Sequence, residues 1–224
     1  NEKRLTHDSR LISPVYHSNL NQLAAITNYD GTSNIMLASR LDILEKDIIF
    51  EPITNLNNGI QMFSLSWIQD TLYVDAVYHQ GRQIYSVDID TGELTPTTES
   101  HWDNRDQEEM LDGMVYAKDQ SGIYNLFVKE RGKGNYITNV IGGAFMPSVS
   151  SKGKILYSLF KNGRYNIAIL DRKKTYFIEN VGYEPDYFSE HIESELILGK
   201  EVSSSLYEEK MLSMSILPKI MVDY

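Results

Sequence analysis

The sequence predicts an all-β fold, a β-propeller of four-stranded antiparallel blades of which about four are visible. Three observations predict it. Short apolar, strand-like segments fill the chain, a Gly-to-Asn/Gln turn recurs between them, and a second marker repeats at a similar spacing.

The strand-like segments include Leu72 to Val77, Ile84 to Ile89, Met114 to Ala117, Ile123 to Val128, Ile155 to Phe160 and Tyr165 to Leu170. They are rich in Val, Ile, Leu, Tyr and Phe, and Gly, Asn and Asp interrupt them at short intervals, which suits a pleated, half-buried surface. A helical repeat would instead need apolar residues three and four apart and fewer turn residues.

The turn reads Gly31-Thr-Ser-Asn34, Gly81-Arg-Gln83, Gly122-Ile-Tyr-Asn125 and Gly163-Arg-Tyr-Asn166, so its polar residue recurs at intervals of 49, 42 and 41 residues. Gly supplies the positive φ of a tight hairpin, and the Asn or Gln is expected to bond turn backbone that the ladder leaves unpaired. The second marker reads Leu5-Thr6, Ile53-Thr54-Asn55, Leu94-Thr95, Ile137-Thr138-Asn139 and Ile178-Glu179-Asn180. A period near 40 to 45 residues fits one propeller blade, a small twisted sheet that buries its faces only against its neighbours. Blades are expected over residues 1–182, with residues 183–224 a C-terminal extension that supplies closing strands or a linker. The first unit carries an insertion near Leu41 to Asp47.

Composition narrows the function. Against 31 Asp and Glu there are 21 Lys and Arg, a formal net charge of −10, and no basic stripe offsets it, so a nucleic acid partner is not expected. Cysteine is absent, which removes disulfides, thiolate zinc sites and cysteine nucleophiles. No run approaches the ~20 apolar residues of a membrane-crossing helix. The N-terminal Asn1-Glu2-Lys3-Arg4 reads as the edge of a longer polypeptide.

Asp112-Gly113, Ser121 to Val128, Tyr136 to Asn139, Gly142 to Gly153 and Gly163 to Asp171 stand in an order that resembles the TolB-like, WD-repeat-related propellers of bacterial cell envelopes. The resemblance spans about Arg4 to Val181. It implies a larger, six-bladed ring of which these blades form part, and a non-catalytic scaffold that binds a protein or peptide of the envelope, resides in the periplasm and is associated with the outer membrane where a barrel follows the last residues. A carbohydrate-active propeller enzyme or the propeller domain of a serine peptidase is the alternative.

The sequence carries no Gly-x-Ser-x-Gly elbow, His-Glu-x-x-His pair, phosphate loop or three-glycine dinucleotide fingerprint, so no catalytic residue and no cofactor is assigned. Asp103, Asp106, Glu108, Glu109 and Asp112 form the one acidic cluster of note. It reads as a solvated inter-blade loop at the channel rim, with calcium ligation or axial catalytic carboxylates as the competing readings. Contact loops for a partner are expected around Asp30, His79, Arg82, Trp102, Asp103, Asn162 and Arg164, because rigid blades hold exposed loops. The five histidines fall in different units and are read as structural, and the strand tyrosines and Trp67 as inter-blade packing.

Overall fold

A computed structural model describes residues 4–7, 9–39, 48–78, 81–98, 100–170 and 176. The expected insertion near Leu41 to Asp47, His79, the last marker at Ile178 to Asn180 and the extension 183–224 lie outside the described residues.

Among the described residues fifteen strands form four antiparallel sheets in chain order. Blade one contains β1 (Leu11–His17), β2 (Gln22–Tyr29), β3 (Thr32–Ser39) and β4 (Glu51–Pro52); blade two contains β5 (Gln61–Ile68), β6 (Thr71–Val77), β7 (Arg82–Val87) and β8 (Leu94–Pro96). Blade three contains β9 (Asn104–Met110), β10 (Gly113–Lys118), β11 (Asn125–Glu130) and β12 (Lys133–Tyr136); blade four shows β13 (Ala144–Val149), β14 (Ile155–Lys161) and β15 (Arg164–Leu170). Each strand pairs with the next in sequence, the up-and-down order of a propeller blade. The first strands β1, β5, β9 and β13 lie against one another and form the inner wall.

Apolar faces meet between blades. Ala24, Ile26, Ile35 and Leu37 of blade one pack with Met62, Leu65, Leu72 and Val74 of blade two. Ile68 and Ile84 of blade two meet Met114 and Tyr116 of blade three, and Val115, Leu126 and Val128 meet Ala144 and Ile155 of blade four. Blades therefore gain their buried area from neighbours, as the repeat period requires.

All four turn glycines have positive φ, from 72° at Gly81 to 79° at Gly122. Asp30-Gly31 and Asn162-Gly163 place two successive residues at positive φ, the geometry of a type I′ hairpin turn.

The recurring Asn or Gln does something other than expected. Asn34 Oδ1 accepts the N–H of Leu56 (2.6 Å) and the hydroxyl of Thr54 (2.9 Å), while Thr54 Oγ1 accepts the N–H of Ile35 (2.8 Å). Asn125 repeats this with Val140 N–H (2.9 Å) and Thr138 Oγ1 (2.9 Å), and Thr138 accepts from Leu126 N–H (2.8 Å). In blade two Gln83 Oε1 accepts from Thr98 Oγ1 (2.9 Å), Thr98 accepts from Ile84 N–H (2.9 Å), and Gln83 Nε2 donates to the carbonyls of Ser100 (2.9 Å) and Trp102 (2.8 Å). In blades one to three the polar residue thus ties its strand to the connection leaving for the next blade, not to its own turn. The clasp also corrects the second marker: the counterpart of Thr54 and Thr138 is Thr98, not Thr95. Thr97 N–H bonds Ile84 O (2.8 Å) as Ile53 N–H bonds Ile35 O and Ile137 N–H bonds Leu126 O.

Asn125 is fully buried, so Asn125→Ala strands donors in a closed site and is expected to cost about 2–4 kcal/mol in urea unfolding. Asn166→Ala, at an exposed position whose amide reaches only the Arg164 carbonyl at 3.4 Å, should change stability by less than about 0.5 kcal/mol.

Candidate functional site

Antiparallel strands put alternate connections at opposite ends of each blade. One end carries the β2–β3, β6–β7, β10–β11 and β14–β15 turns together with the blade-to-blade connections. Asp30, Arg82, Trp102, Asp103, Asn162 and Arg164 all belong to this end. Asp112, in the β9–β10 turn, lies at the other end, where Arg131 Nη2 meets it at 3.1 Å on the surface.

The acidic cluster is not a single loop. Asp106, Glu108 and Glu109 are part of strand β9, and only Asp103 and Asp112 flank it. Alternation along a strand sends neighbouring side chains to opposite faces, and the five acids are held separately. Asp103 Oδ1 accepts Arg82 N–H (2.7 Å) and Oδ2 accepts the Tyr124 hydroxyl (2.8 Å), so it joins blades two and three. Burial, and then that bond to Asp103, pushes the Tyr124 phenol up from its ordinary pKa. Asp103 N–H donates in turn to Asp119 Oδ1 (2.7 Å). Glu109 Oε1 accepts Gln69 N–H (2.9 Å). Among the described residues no group of three or more His, Asp or Glu is placed to hold a metal ion.

Arg82, expected as a surface contact, turns inward. Its Nη2 reaches both oxygens of Asp75 (3.0 and 2.9 Å), and its guanidinium sits 4.1 Å from the centre of the Phe63 ring. Asp75 is fully buried and also accepts Ser64 N–H (2.9 Å), Ser64 Oγ (2.8 Å) and Asp106 N–H (2.7 Å). Asp106 continues the chain of charge, 3.7 Å from Arg82 Nη2, bonded to Arg105 Nε (3.1 Å) and accepting Met146 N–H (3.2 Å). Neither Asp75 nor Arg105 stands out by sequence pattern. Their charge complementarity becomes visible only once β6, β7 and β9 are adjacent.

Every inner strand is bulged. Register shifts occur between Ile12 and Val15, Met62 and Ser64, Arg105 and Glu108, and Phe145 and Ser148. Ser13, Asp106 and Met146 take φ of 50°, 57° and 48° there. A bulge re-aims a side chain, and two of these are followed by prolines, Pro14 and Pro147, which lack the N–H a regular ladder would use. The bulges leave Phe63 and Met146 exposed (42% and 62%) beside the Asp75–Arg82–Asp106–Arg105 network, and Ser13 Oγ bonds the Phe63 carbonyl (2.7 Å). Trp102 is 44% exposed on the same connection as Asp103.

His17 belongs to neither site. Its Nδ1 accepts Leu20 N–H (3.1 Å), which leaves Nε2 to donate to the Gln69 carbonyl (2.9 Å), and its ring meets Trp67 edge-on at 5.0 Å.

Asp75→Asn breaks a buried pair and is expected to destabilise by about 3–5 kcal/mol in urea unfolding. Burial raises the Glu108 pKa, the Glu109 charge adds to this, and a bond from Val149 N–H opposes it. A raised carboxyl pKa favours the folded state below the unfolded value, and that contribution is lost as pH rises through the folded value. Glu108→Gln should therefore stabilise the chain at pH 7 and leave it unchanged near pH 3, measured by unfolding at both pH values.

No protein-family model matches the sequence, and no curated protein sequence does. Solved structures do. TolB from Acinetobacter baumannii superposes with a TM-score of 0.59 at 18% identity over 73% of this chain and 41% of its own. A putative TolB from Agrobacterium tumefaciens gives 0.62 at 17% over 76% and 67%, and puromycin hydrolase gives 0.61 at 12% over 80% and 30%. The chain spans less than half the length of the first and the last of these. What it shares with them is architecture: it is a run of TolB-like β-propeller blades.

Proposed function

We propose that this chain is a non-catalytic binding scaffold of the bacterial cell envelope, acting in the periplasm on a protein or peptide partner. The observation that carries this reading is the inner wall. Four adjacent bulges set exposed Phe63 and Met146 around a buried, internally neutralised ion network. Apolar and aromatic anchors over a rigid base are what a peptide-binding surface needs, because side chains already fixed lose little entropy on binding. The carboxylates of this wall are committed to arginines and backbone N–H groups, an arrangement suited to support more than to proton transfer. Asp30, Trp102, Asn162 and Arg164 supply further contacts from the loop end, and the structural likeness to TolB favours the periplasmic assignment.

The likeness to puromycin hydrolase favours a second reading, the propeller domain of a hydrolytic enzyme. It predicts a hydrolase domain in the parent gene, a cheap discriminator.

The scaffold reading is tested by affinity capture from solubilised bacterial envelope with the 224-residue chain and with a Phe63→Glu, Met146→Glu variant of matched circular dichroism. A partner enriched by the chain and reduced about tenfold or more with the variant supports the proposal, since each lost anchor is worth on the order of 1–2 kcal/mol. Equal capture by both, or none by either, argues against it.

A further inference from the structure

Between blades two and three lies an open groove of about 240 Å³ whose lining contains two lysines, Lys118 and Lys129, and, among the described residues, no carboxylate. This is an unusual place in a chain of net charge −10. The two lysines stand on adjacent strands, on the face that also carries Tyr116 and Phe127, which pair directly across β10 and β11. Lys118 Nζ lies 4.7 Å from the centre of the Phe127 ring, and Lys129 Nζ donates to the Thr97 carbonyl at 3.0 Å. Among the described residues neither ammonium is in an ion pair. Asp119, the sequence neighbour of Lys118, is occupied by Asp103 N–H.

A third group faces the same space. Asn104 pairs across β9 and β10 with Lys118 and is 1% exposed. Its Nδ2 is committed to Gln83, Ser100 and Trp102, while its buried Oδ1 has no partner. A buried acceptor without a donor is costly, and so are two half-buried cations held near each other with only the Asp119 charge acting on one of them. A ligand with an anionic group for the ammoniums would relieve the second of these.

We propose that this inter-blade groove is a binding site for a small organic anion, a carboxylate on a flat apolar frame, with Lys118 and Lys129 as the charge-recognising residues and Phe127 as the apolar wall. Gly134 helps make the wall, because a Cβ there would collide with the Phe127 ring. Burial, opposed by Asp119 and assisted by Lys129, lowers the Lys118 pKa, in keeping with a cation that an anion would stabilise. The site lies away from the inner-wall bulges and does not depend on the scaffold reading.

The test is a titration of the 224-residue chain with benzoate, followed by saturation-transfer NMR, with benzamide as the uncharged isostere and inorganic phosphate as competitor. The proposal predicts saturable benzoate binding, benzamide at least about tenfold weaker, and a loss of about tenfold for Lys118→Met and for Lys129→Met, each a charge-assisted contact. Displacement of benzoate by phosphate would support recognition of the negative charge itself. Absence of saturable benzoate binding, equal binding of benzamide, or unchanged binding in both folded variants would overturn it. The benzoate-to-benzamide comparison needs no variant, so misfolding of either substitution leaves the test intact.

Discussion

A threonine hydroxyl that accepts one backbone N–H and donates to a buried Asn or Gln is the joint on which the blades depend. A blade ends on a short outer strand, two residues at Glu51–Pro52 and three at Leu94–Pro96, too short to anchor the chain by ladder bonds alone. The chain must then cross back to the inner wall of the next blade through a segment with few regular partners. Asn34 with Thr54, Gln83 with Thr98, and Asn125 with Thr138 satisfy the backbone of that segment at its start. Buried polar groups must find partners, and here the same side chains that meet that need also set where each new blade begins.

With the connections held, the inner strands can be irregular. Bulges break the ladder at Ser13, Phe63, Asp106 and Met146, and groups released at Phe63, Asp106 and Met146 are taken up by the preceding blade. Met146 N–H goes to Asp106 and Asp106 N–H to Asp75. The fully buried Asp75 is tolerable because Arg82 and three further donors surround it. One polar chain therefore fixes the relative placement of blades two, three and four and leaves aromatic and thioether side chains at the wall.

The fold was legible because its two signals are local. Positive φ at Gly31, Gly81, Gly122 and Gly163 is written into the turn, and the strand pattern around it follows from alternation. The role of Asn34 and its counterparts was misread because the partner lies twelve or more residues away and the spacing varies: Thr98 stands nearer its Gln83 than Thr54 does to Asn34, and Leu94-Thr95 mimics the marker in between. The acidic run was misplaced for a different reason. Asn-Arg-Asp-Gln-Glu-Glu has low strand propensity, and only the pairing with Gly113–Lys118 makes it a strand. Arg82 next to a turn glycine reads as a surface residue, and nothing short of the sheet reveals Asp75 beneath it. The lysine groove was invisible to sequence because its residues come from separate strands and the blade-to-blade connection.

Native-state hydrogen exchange tests the clasp most directly, by resolving the amides of Leu56 and Val140 in the connections and of Ile35, Ile84 and Leu126 in the strands. If the clasps are the joints of the fold, Leu56 and Val140 exchange as slowly as the three strand amides, through the same cooperative opening, although they lie outside any strand. Exchange of Leu56 and Val140 at the rate of exposed turn amides, with the strand amides still protected, would contradict it.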